Sequence, residues 1–466
     1  MKTHGFAAIL GGAVFLSQIA LAAPADDGRA RFRDTYRELI ETNTTLSSGD
    51  CTLLANRMAG RLKAAGYPDS DLHVIVTDGH PKEGSLVAVL PGRDTKAKAL
   101  LLLGHLDVVE ARREDWTRDP FKLVEENGYF YGRGAADMKS QDAIWVDTMV
   151  RLKEGRQPRR TVKLAMTCGE ESAPFNGAQW LVQNQRALID AEFALTEGGW
   201  GEMDASGKRI ALGINAGEKL PRNYQLEVTS PGGHAMRPVK DNAIVRLGEA
   251  LSRINKYDFP VQTTDASRTY FARMAPLLKG ETGAAMAAFA KDPTDTAAQA
   301  VIARDPATNA MMRTTCAVTL INGGHAVNAQ PQRATATLNC RLFPGTDPES
   351  VREKLAELAA DPRVVVTGLP GARSPSPAPP MTPAVLGPLE KEVAKLFPGV
   401  PVVPKLEIGA TDASHLTPAG IPTYGFTGLF FDPDGNGMHG LNERMRVEVL
   451  YQGRDLLWAV VNDYVK

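Results

Sequence analysis

Acidic and imidazole side chains that follow apolar segments are the residues of this 466-residue sequence best suited to chemistry. The apolar residues 99–103 are followed by His105 and Asp107, which point to the same side of an extended chain because side chains alternate in a strand. An imidazole can bind a metal ion through one ring nitrogen while a nearby carboxylate holds the other nitrogen. The pair therefore indicates the first part of a metal site.

Two further segments carry carboxylates in similar positions. Asp137 stands in a glycine-punctuated loop, where one carboxylate could bridge two cations. Glu170 and Glu171 follow the apolar residues 162–167. Neighbouring carboxylates at a strand end can divide the work, one binding metal and the other moving protons.

The set is completed by Glu197, which follows the apolar residues 193–196, and by His439 in a Met-His-Gly segment. Taken singly, residues of these types are more typical of surface or turn positions. Together they indicate a two-metal hydrolase site, because ligands in open α/β sheets gather where parallel strands end.

The order of these motifs closely resembles the co-catalytic zinc metallopeptidase family, which contains glutamate carboxypeptidase, Gly-Xaa carboxypeptidase, aminoacylase and succinyl-diaminopimelate desuccinylase. The resemblance extends over nearly the whole chain after its N-terminal segment. The motifs are Gly-His-Leu-Asp at 104–107, Gly-Arg-Gly-Ala-Ala-Asp at 132–137, Gly-Glu-Glu at 169–171, Thr-Glu-Gly-Gly at 196–199 and Met-His-Gly at 438–440.

The resemblance implies two Zn²⁺ ions per subunit. It places one zinc ion on His105, Asp137 and Glu197. A second zinc ion is held by Asp137, Glu171 and His439, so that Asp137 bridges the two. Co²⁺ or Mn²⁺ could substitute, because imidazole and carboxylate ligands also accept these ions.

The same resemblance assigns the proton chemistry. Glu170 matches the general base, and Asp107 matches the carboxylate that orients His105. A cis peptide bond is expected between Asp137 and Met138. Paired cations would activate a shared water and polarise the substrate carbonyl, while Glu170 would pass a proton to the leaving amine. The implied reaction is amide hydrolysis without a covalent intermediate.

Five other residues match substrate-facing positions of the family. His234 matches a histidine that stabilises the oxyanion when the domains close, and that comes from the partner subunit in dimeric relatives; considered alone, it reads more simply as a turn residue. Asn328 and Arg341 match substrate-binding positions, and Arg341 could clamp a terminal carboxylate. Gly409 and Thr411 belong to a matching substrate-facing loop.

The substrate is narrowed by two details of the resemblance. Glu197 resembles the carboxypeptidase, aminoacylase and desuccinylase branches, and residues 310–344 resemble the Gly-Xaa carboxypeptidases and N-fatty-acyl-amino-acid hydrolases.

Our first hypothesis is a zinc-dependent exopeptidase that cleaves dipeptides or the C-terminal residue of short peptides. The alternative is an N-acyl-amino-acid amidohydrolase with the same mechanism. A catalytically silent binding protein would have lost a ligand or Glu170, and none of them is missing.

Strand and helix patterns predict an α/β fold. The catalytic domain has a mostly parallel sheet, and an inserted ferredoxin-like α+β domain serves as a lid or for dimerisation. Before residue 216, strands are predicted at 73–76, 85–90, 99–103, 162–167 and 193–196, and helices at 141–153 and 178–184. A βαββαβ order follows at 224–229, 243–254, 316–321, 334–342, 347–359 and 364–367. The predicted divisions are a signal peptide at 1–22, the catalytic domain at 23–216 and 373–466, and the inserted domain at 217–372.

The inserted domain also contains an Ala- and Met-rich segment, residues 256–313, whose helical spacing favours packing over cofactor binding. A homodimer through the inserted domain is one option, although the long segment could instead replace a dimer contact. Among the cysteines, a Cys316–Cys340 bridge is left open and Cys168 is predicted to be a buried thiol.

The N-terminal residues suggest export. Lys2, the apolar residues 6–20 and Ala20-Leu21-Ala22 predict a cleaved signal peptide, and hence a periplasmic or secreted protein. The apolar run is short for a membrane anchor. A net charge of -1 gives no reason to expect nucleic acid, or a membrane after signal cleavage, as a partner. The expected partner is a small peptide or N-acyl amino acid.

Overall fold

The computed structural model describes residues 28–171, 175–371 and 373–466. The predicted signal peptide, residues 1–22, lies outside the described residues. In the described ranges, no helix combines the length and apolar character needed to cross a membrane.

Nineteen strands and fourteen α-helices are described. The strands are β1 Leu72–Thr77, β2 His80–Leu90, β3 Leu100–His105, β4 Val124–Glu126, β5 Tyr129–Tyr131, β6 Val162–Thr167, β7 Phe193–Thr196, β8 Gly201–Met203, β9 Arg209–Glu218, β10 Leu220–Thr229, β11 Gly233–His234, β12 Thr315–Gly323, β13 Ala329–Gln330, β14 Arg333–Leu342, β15 Val364–Gly368, β16 Val402–Glu407, β17 Thr423–Gly425, β18 Phe430–Phe431 and β19 Arg444–Arg446. The helices are α1 Arg29–Glu41, α2 Cys51–Ala64, α3 Lys139–Glu154, α4 Gly177–Asn184, α5 Arg186–Ile189, α6 Ala243–Asn255, α7 Asp265–Met274, α8 Glu281–Lys291, α9 Thr296–Ile302, α10 Pro306–Ala310, α11 Pro348–Ala359, α12 Pro383–Leu396, α13 Ala413–Leu416 and α14 Val447–Tyr464.

A ten-stranded mixed sheet carries the predicted metal ligands. Its order is β1-β2-β6-β3-β7-β17-β9-β8-β18, with β16 paired to β9. The central strands β6, β3, β7 and β17 are mutually parallel, and the pairs β1–β2, β2–β6, β17–β9 and β9–β8 are antiparallel. This confirms the predicted α/β fold, with the parallel part at the middle of the sheet.

Strand β3 shows why the central strands are apolar throughout. Leu100 and Leu102 face a core formed with α1, α2, α3, α12 and α14. Leu101 and Leu103 face the opposite core, formed with α4, α5 and α13. Because both faces of the strand are buried, the side chains that point to either face are apolar.

A second, four-stranded sheet has the order β12-β14-β10-β15, and every neighbouring pair in it is antiparallel. Helices α6 and α11 share its core, which includes Leu247, Leu355 and Leu226. The βαββαβ order and this strand arrangement agree with the predicted ferredoxin-like insertion. Strand β12 lies at the edge, and residues 317–323 are exposed.

The Ala- and Met-rich segment forms α7, α8, α9 and α10. Phe271, Met286 and Phe289 build its core together with Ala211 of β9 and Val403 of β16. The segment is therefore a packing element, as its spacing predicts. Its place differs from the expectation, however, because α7, α8 and α9 pack on the ten-stranded sheet, while Phe259 packs against the core of the four-stranded one.

Two disulfide bonds are present. Cys316 and Cys340 face each other across β12 and β14, which settles the pairing left open by the sequence. Cys168 is buried but bonded to Cys51, so the prediction of a free thiol is wrong. The two residues are 117 positions apart and meet because α2 packs on β2, the neighbour of β6.

Candidate active site

Three parallel strands deliver the site to one edge of the large sheet. Strand β3 ends at His105, and its neighbours β6 and β7 end one residue before Cys168 and Glu197. Because parallel neighbours end at the same edge, segments distant in sequence become adjacent there. The strand-end reasoning from sequence thus predicted this convergence.

Asp137 stands between the two predicted imidazole ligands. Its Oδ1 lies 3.3 Å from Nε2 of His105, and its Oδ2 lies 3.0 Å from Nε2 of His439. Glu197 Oε2 lies 3.6 Å from His105 Nε2, and Glu171 Oε1 lies 2.9 Å from His439 Nε2. The two predicted ligand triplets are therefore assembled around a carboxylate whose oxygens face opposite partners.

The donor atoms are close enough to share cations. Ligand atoms of His105, Asp137 and Glu171 all lie within 4.8 Å of one another, as do those of His105, Glu170 and Glu197. Imidazole and carboxylate donors suit Zn²⁺ and related divalent ions. The residues present fit a two-cation centre, with Glu170 next to it.

Without a bound cation, several side chains of this cluster favour their protonated forms. Burial raises the pKa of Glu197 to about 8 and that of Glu170 well above its usual value. Hydrogen bonds with Asp137 and Glu171 raise the pKa of His439 to about 10. Cations at this site would displace such protons, since carboxylates and imidazoles bind metal in their deprotonated forms.

The backbone carbonyl and the side-chain carboxylate of Asp107 accept hydrogen bonds from different partners. The ring N–H at Nδ1 of His105 donates to the backbone carbonyl of Asp107 at 3.0 Å, while the nearest carboxylate oxygen is 3.8 Å away. This corrects the expectation that the carboxylate orients the imidazole. Nε2 is therefore the ring nitrogen of His105 that faces the cluster and would bind a cation.

The Asp107 carboxylate instead holds the loop that carries the paired glutamates. Its oxygens accept backbone N–H groups from Gly169 at 2.7 Å, Glu170 at 3.3 Å and Glu171 at 2.9 Å. Three donors to one buried carboxylate fix the direction in which the glutamate side chains leave the backbone.

The loop that carries Asp137 is held by Glu443, which the sequence reasoning missed. The fully buried Glu443 carboxylate accepts N–H groups from Gly134 at 3.0 Å, Ala136 at 2.7 Å and Asp137 at 2.9 Å. It also pairs with Arg133 at 2.7 Å. Its position four residues after His439 is the only sequence signal. The expected cis peptide between Asp137 and Met138 is present in this loop.

Asp142 is a buried carboxyl group next to Gly104 and close to the site. Neither of its oxygens has a hydrogen-bond partner among the described residues, and burial raises its pKa to about 8. A Cβ at position 104 would lie 2.1 Å from Oδ1 of Asp142, so Gly104 makes room for it beside His105.

Arg373 is a second residue that the sequence reasoning missed. Its Nη2 lies 3.7 Å from Oε1 of Glu170, and both side chains are largely buried. Burial, and then the charge of Arg373, lower the pKa of Arg341. Arg373 follows β15 in a Pro- and Ser-rich return segment, which the sequence indicates only as a linker.

Hydrogen bonds to two glutamates hold the 409–412 loop. The backbone N–H and the hydroxyl of Thr411 both donate to the carboxylate of Glu218. The N–H of Gly409 donates to Glu407 at 2.9 Å. Substrate contact by Gly409 and Thr411 stays a prediction, and the Thr411 hydroxyl already has a protein partner.

His234 and Asn328 lie on the inserted part of the chain and are exposed. Strand β11, which contains His234, pairs with β13. Nδ1 of His234 accepts the N–H of Met236 at 3.1 Å. None of the described contacts of His234 or Asn328 involves the cluster around Asp137, so their roles stay predictions that require domain closure or a partner subunit.

Comparison with known proteins agrees with this geometry. The profile of peptidase family M20/M25/M40 matches residues 101–463. The chain belongs to this family. It is therefore a hydrolase of the M20 family, which is metal-dependent.

Among M20 relatives, mouse N-fatty-acyl-amino acid synthase/hydrolase PM20D1 is 31% identical over 370 residues, which cover 77% of this chain and 73% of that protein. The fold is similar to that of the M20 family metallo-carboxypeptidase Sso-CP2 from Sulfolobus solfataricus, with a TM-score of 0.66, 19% identity and coverage of 93% and 99%. It is also similar to that of a dinuclear metal binding M20 peptidase from Bacillus subtilis, with a TM-score of 0.60, 13% identity and coverage of 94% and 98%.

Proposed function

We propose that this M20 hydrolase is a two-zinc amidohydrolase that releases an amino acid with a free α-carboxylate from its acyl group. The observation that carries the proposal is Asp137, which faces both His105 and His439 with Glu170 beside the cluster. When bound, the two cations lower the pKa of water and polarise the scissile carbonyl.

Glu170 moves the proton in this reaction. Its carboxylate accepts a proton from the attacking water and delivers it to the nitrogen of the leaving amine as the C–N bond breaks. Its pKa, which burial raises, suits a group that must both accept and donate. Asp107 keeps this side chain in place through the backbone of the 169–171 loop.

Two guanidinium groups near Glu170 could bind the free carboxylate of the substrate. Arg373 is near Glu170, and Arg341 is near Arg373. A carboxylate between them would offset the repulsion of two partly buried cations, and guanidinium groups bind carboxylates in a bidentate manner. His234 would stabilise the oxyanion once it is brought to the site.

The choice of acyl group follows from the relatives. We place N-acyl amino acids with an apolar acyl group first. The PM20D1 relatives are named N-fatty-acyl-amino acid synthase/hydrolases, and their similarity extends over most of this chain. The exposed side chains of Met236, Val239 and Val327, close in sequence to His234 and Asn328, offer apolar surface for that group. The exopeptidase, our first hypothesis from sequence, becomes the second candidate and is favoured by the similarity in fold to Sso-CP2.

The expected partners include a second copy of the chain. Strand β12 is an edge strand without a charged residue, and its Leu320 and Ile321 are each 66% exposed. Natural edge strands usually carry charges that prevent pairing. We propose that β12 pairs with a second copy and that this homodimer brings His234 of one subunit towards the site of the other.

We further propose that the protein is exported to the periplasm or secreted. The signal-like residues 1–22 and the two disulfide bonds support this location, because disulfides persist in oxidising compartments.

The test is hydrolysis by the zinc-loaded protein of a panel of N-acyl amino acids, dipeptides and their C-terminal amides. Turnover of N-acyl amino acids, with the amides spared, supports the first candidate. Turnover of dipeptides alone supports the second. Glu170→Gln should be inactive in both cases, and Glu353→Gln, an exposed glutamate on α11, is the matched control. Absence of hydrolysis across the panel would overturn the proposal.

A further inference from the structure

The disulfide between Cys51 and Cys168 lies directly beside the glutamates of the site. Cys168 is followed by Gly169, Glu170 and Glu171, and both cysteines are buried. We propose that this disulfide positions the catalytic loop, so that Cys51 and Cys168 act as positioning residues for Glu170 and Glu171. The inference rests on the proposed two-metal amide hydrolysis and adds residues that the mechanism does not otherwise use.

The first support is the rigid element at the far end of the bond. Cys51 is the first residue of α2, a helix of 14 residues. The Asp50 carboxylate caps this helix by accepting the N–H of Leu53 at 2.8 Å. Helix α2 packs against β2 of the ten-stranded sheet. The disulfide therefore ties the loop to an element that is itself held by packing and capping.

The second support is the empty space beside the loop. A cavity of about 250 Å³ is lined by Cys51, Cys168, Gly169 and Asp107, together with Thr44 and Thr45. Close packing normally fixes a buried segment, but this cavity opens to solvent at Leu46 and Lys82, so the loop has fewer packing contacts on this side. On this side of the loop, the covalent bond takes the place of packing atoms.

Hydrogen bonds also hold this loop, among them one from the Asn176 side chain to the carbonyl of Gly169 at 3.2 Å. Asp107 accepts N–H groups of residues 169–171, and the carbonyl of Cys168 accepts the N–H of Gly177 at 2.7 Å. These hydrogen bonds orient the backbone, and Asp107 also lines the cavity. The disulfide adds a covalent link from the loop to α2, which is distant in sequence.

A displaced loop would affect two functions together. Glu170 is the proposed proton carrier, and Glu171 contacts His439, the proposed ligand of the second cation. A shift of about 1 Å in reacting groups can reduce a rate by roughly 100-fold. Loss of the disulfide is thus expected to lower kcat and to weaken one of two metal-binding events, with little change in KM.

The chain provides its own control. Cys316 and Cys340 form the second disulfide, which joins β12 and β14 of the four-stranded sheet. A Cys316→Ala/Cys340→Ala variant leaves the 169–171 loop untouched and should therefore keep both zinc affinities. A Cys51→Ala/Cys168→Ala variant should lose about 10- to 100-fold in kcat.

The experiment measures kcat, KM, the zinc-binding isotherm and Tm for both double variants. Kinetics are taken well below the lower Tm, so that reduced stability alone does not change kcat. A fall in kcat together with one weakened zinc-binding event in the Cys51→Ala/Cys168→Ala variant, with both zinc affinities unchanged in the Cys316→Ala/Cys340→Ala variant, supports the positioning role. A lower Tm with unchanged kcat and unchanged zinc affinities overturns it and leaves a purely structural bond.

Reduction covers the case in which the Cys51→Ala/Cys168→Ala variant does not fold. In the Cys316→Ala/Cys340→Ala variant, a phosphine reductant with water converts the remaining disulfide to two thiols and is itself oxidised to phosphine oxide. The reductant is removed before zinc is titrated. Zinc binding that is weaker after reduction, and is restored when oxidised glutathione accepts the two electrons and re-forms the disulfide, supports the inference; unchanged binding overturns it. This titration needs no substrate, so failure of the proposed amidohydrolase activity is recognised separately.

Discussion

The guanidinium of Arg373 lies 3.7 Å from the carboxylate of Glu170. Arg373 belongs to the return segment after β15, whereas Glu170 follows β6, so only the folded chain brings the two together. The pair joins a strand-end loop of the large sheet to the segment that leaves the four-stranded sheet. A positive charge is thereby placed beside the proposed proton carrier, where the carboxylate of a substrate would lie.

Substitution of Arg373 should weaken recognition of that carboxylate. For Arg373→Gln we expect KM for N-acyl amino acids to rise about 10- to 100-fold, because a charge-assisted hydrogen bond contributes about 1.5–3 kcal/mol. Steady-state kinetics measures the change, and Arg304→Gln, at an exposed ion pair with Glu281, serves as control. An unchanged KM would contradict this role.

Zinc affinity should decrease as the pH is lowered. His439, with a pKa of about 10, and Glu197, with a pKa of about 8, are both protonated at neutral pH in the metal-free protein. Zinc must displace these protons, so binding at pH 6 is expected to be weaker than at pH 8. Calorimetry in two buffers of different ionisation enthalpy measures the protons released. Identical heats in both buffers would argue against this linkage.

Asp142 should make the metal-free protein less stable at high pH. Its folded pKa of about 8 exceeds the unfolded value of 3.8, so the folded state binds more protons between these values. Stability from this group is therefore complete below pH 3.8 and is lost as the pH rises towards 8.

Asp142→Asn removes this titration. The stability of the variant relative to the parent should increase between pH 6 and pH 8.5, as measured by urea unfolding in the presence of a chelator. Asp265→Asn, an exposed position in the first turn of α7, controls for general charge effects. A difference between variant and parent that does not depend on pH would refute the prediction.

Glu443 should be required for the Asp137 loop. Glu443→Ala leaves the Arg133 guanidinium and three backbone N–H groups buried without their acceptor. Removing one partner of a buried ion pair typically costs about 3–5 kcal/mol. We expect a loss of unfolding free energy of that size in urea, together with weaker zinc binding. A loss below about 1 kcal/mol would show that water replaces the carboxylate.

Much of the site follows from local patterns. Apolar segments of strand length end directly before His105 and Glu197, and a parallel arrangement carries such ends to one edge. The family resemblance then pairs each residue with a partner, and the observed distances around Asp137 agree with that pairing. The strand ends were predictable because each depends on a few neighbouring residues, whereas the pairing of distant ligands came from the family resemblance.

Other features depend on contacts between distant segments. Asp107 was expected to hold His105 through its carboxylate, but that group binds the backbone of residues 169–171. Residues 256–313 were placed with the inserted domain, but α7, α8 and α9 pack on the sheet that contains β9 and β16. In both cases the residue type was informative, and its partner was selected by packing.

The amino-acid sequence by itself determined the α/β class, the ferredoxin-like insertion and the residues that converge around Asp137. Periodicity and strand ends are local properties, and they survive without knowledge of the folded chain. Only the tertiary structure decided that Arg373 meets Glu170, that Glu443 holds the Asp137 loop and that Cys51 bonds Cys168. Those partners are separated by 117 to more than 300 residues, so their contact depends on how helices and sheets pack.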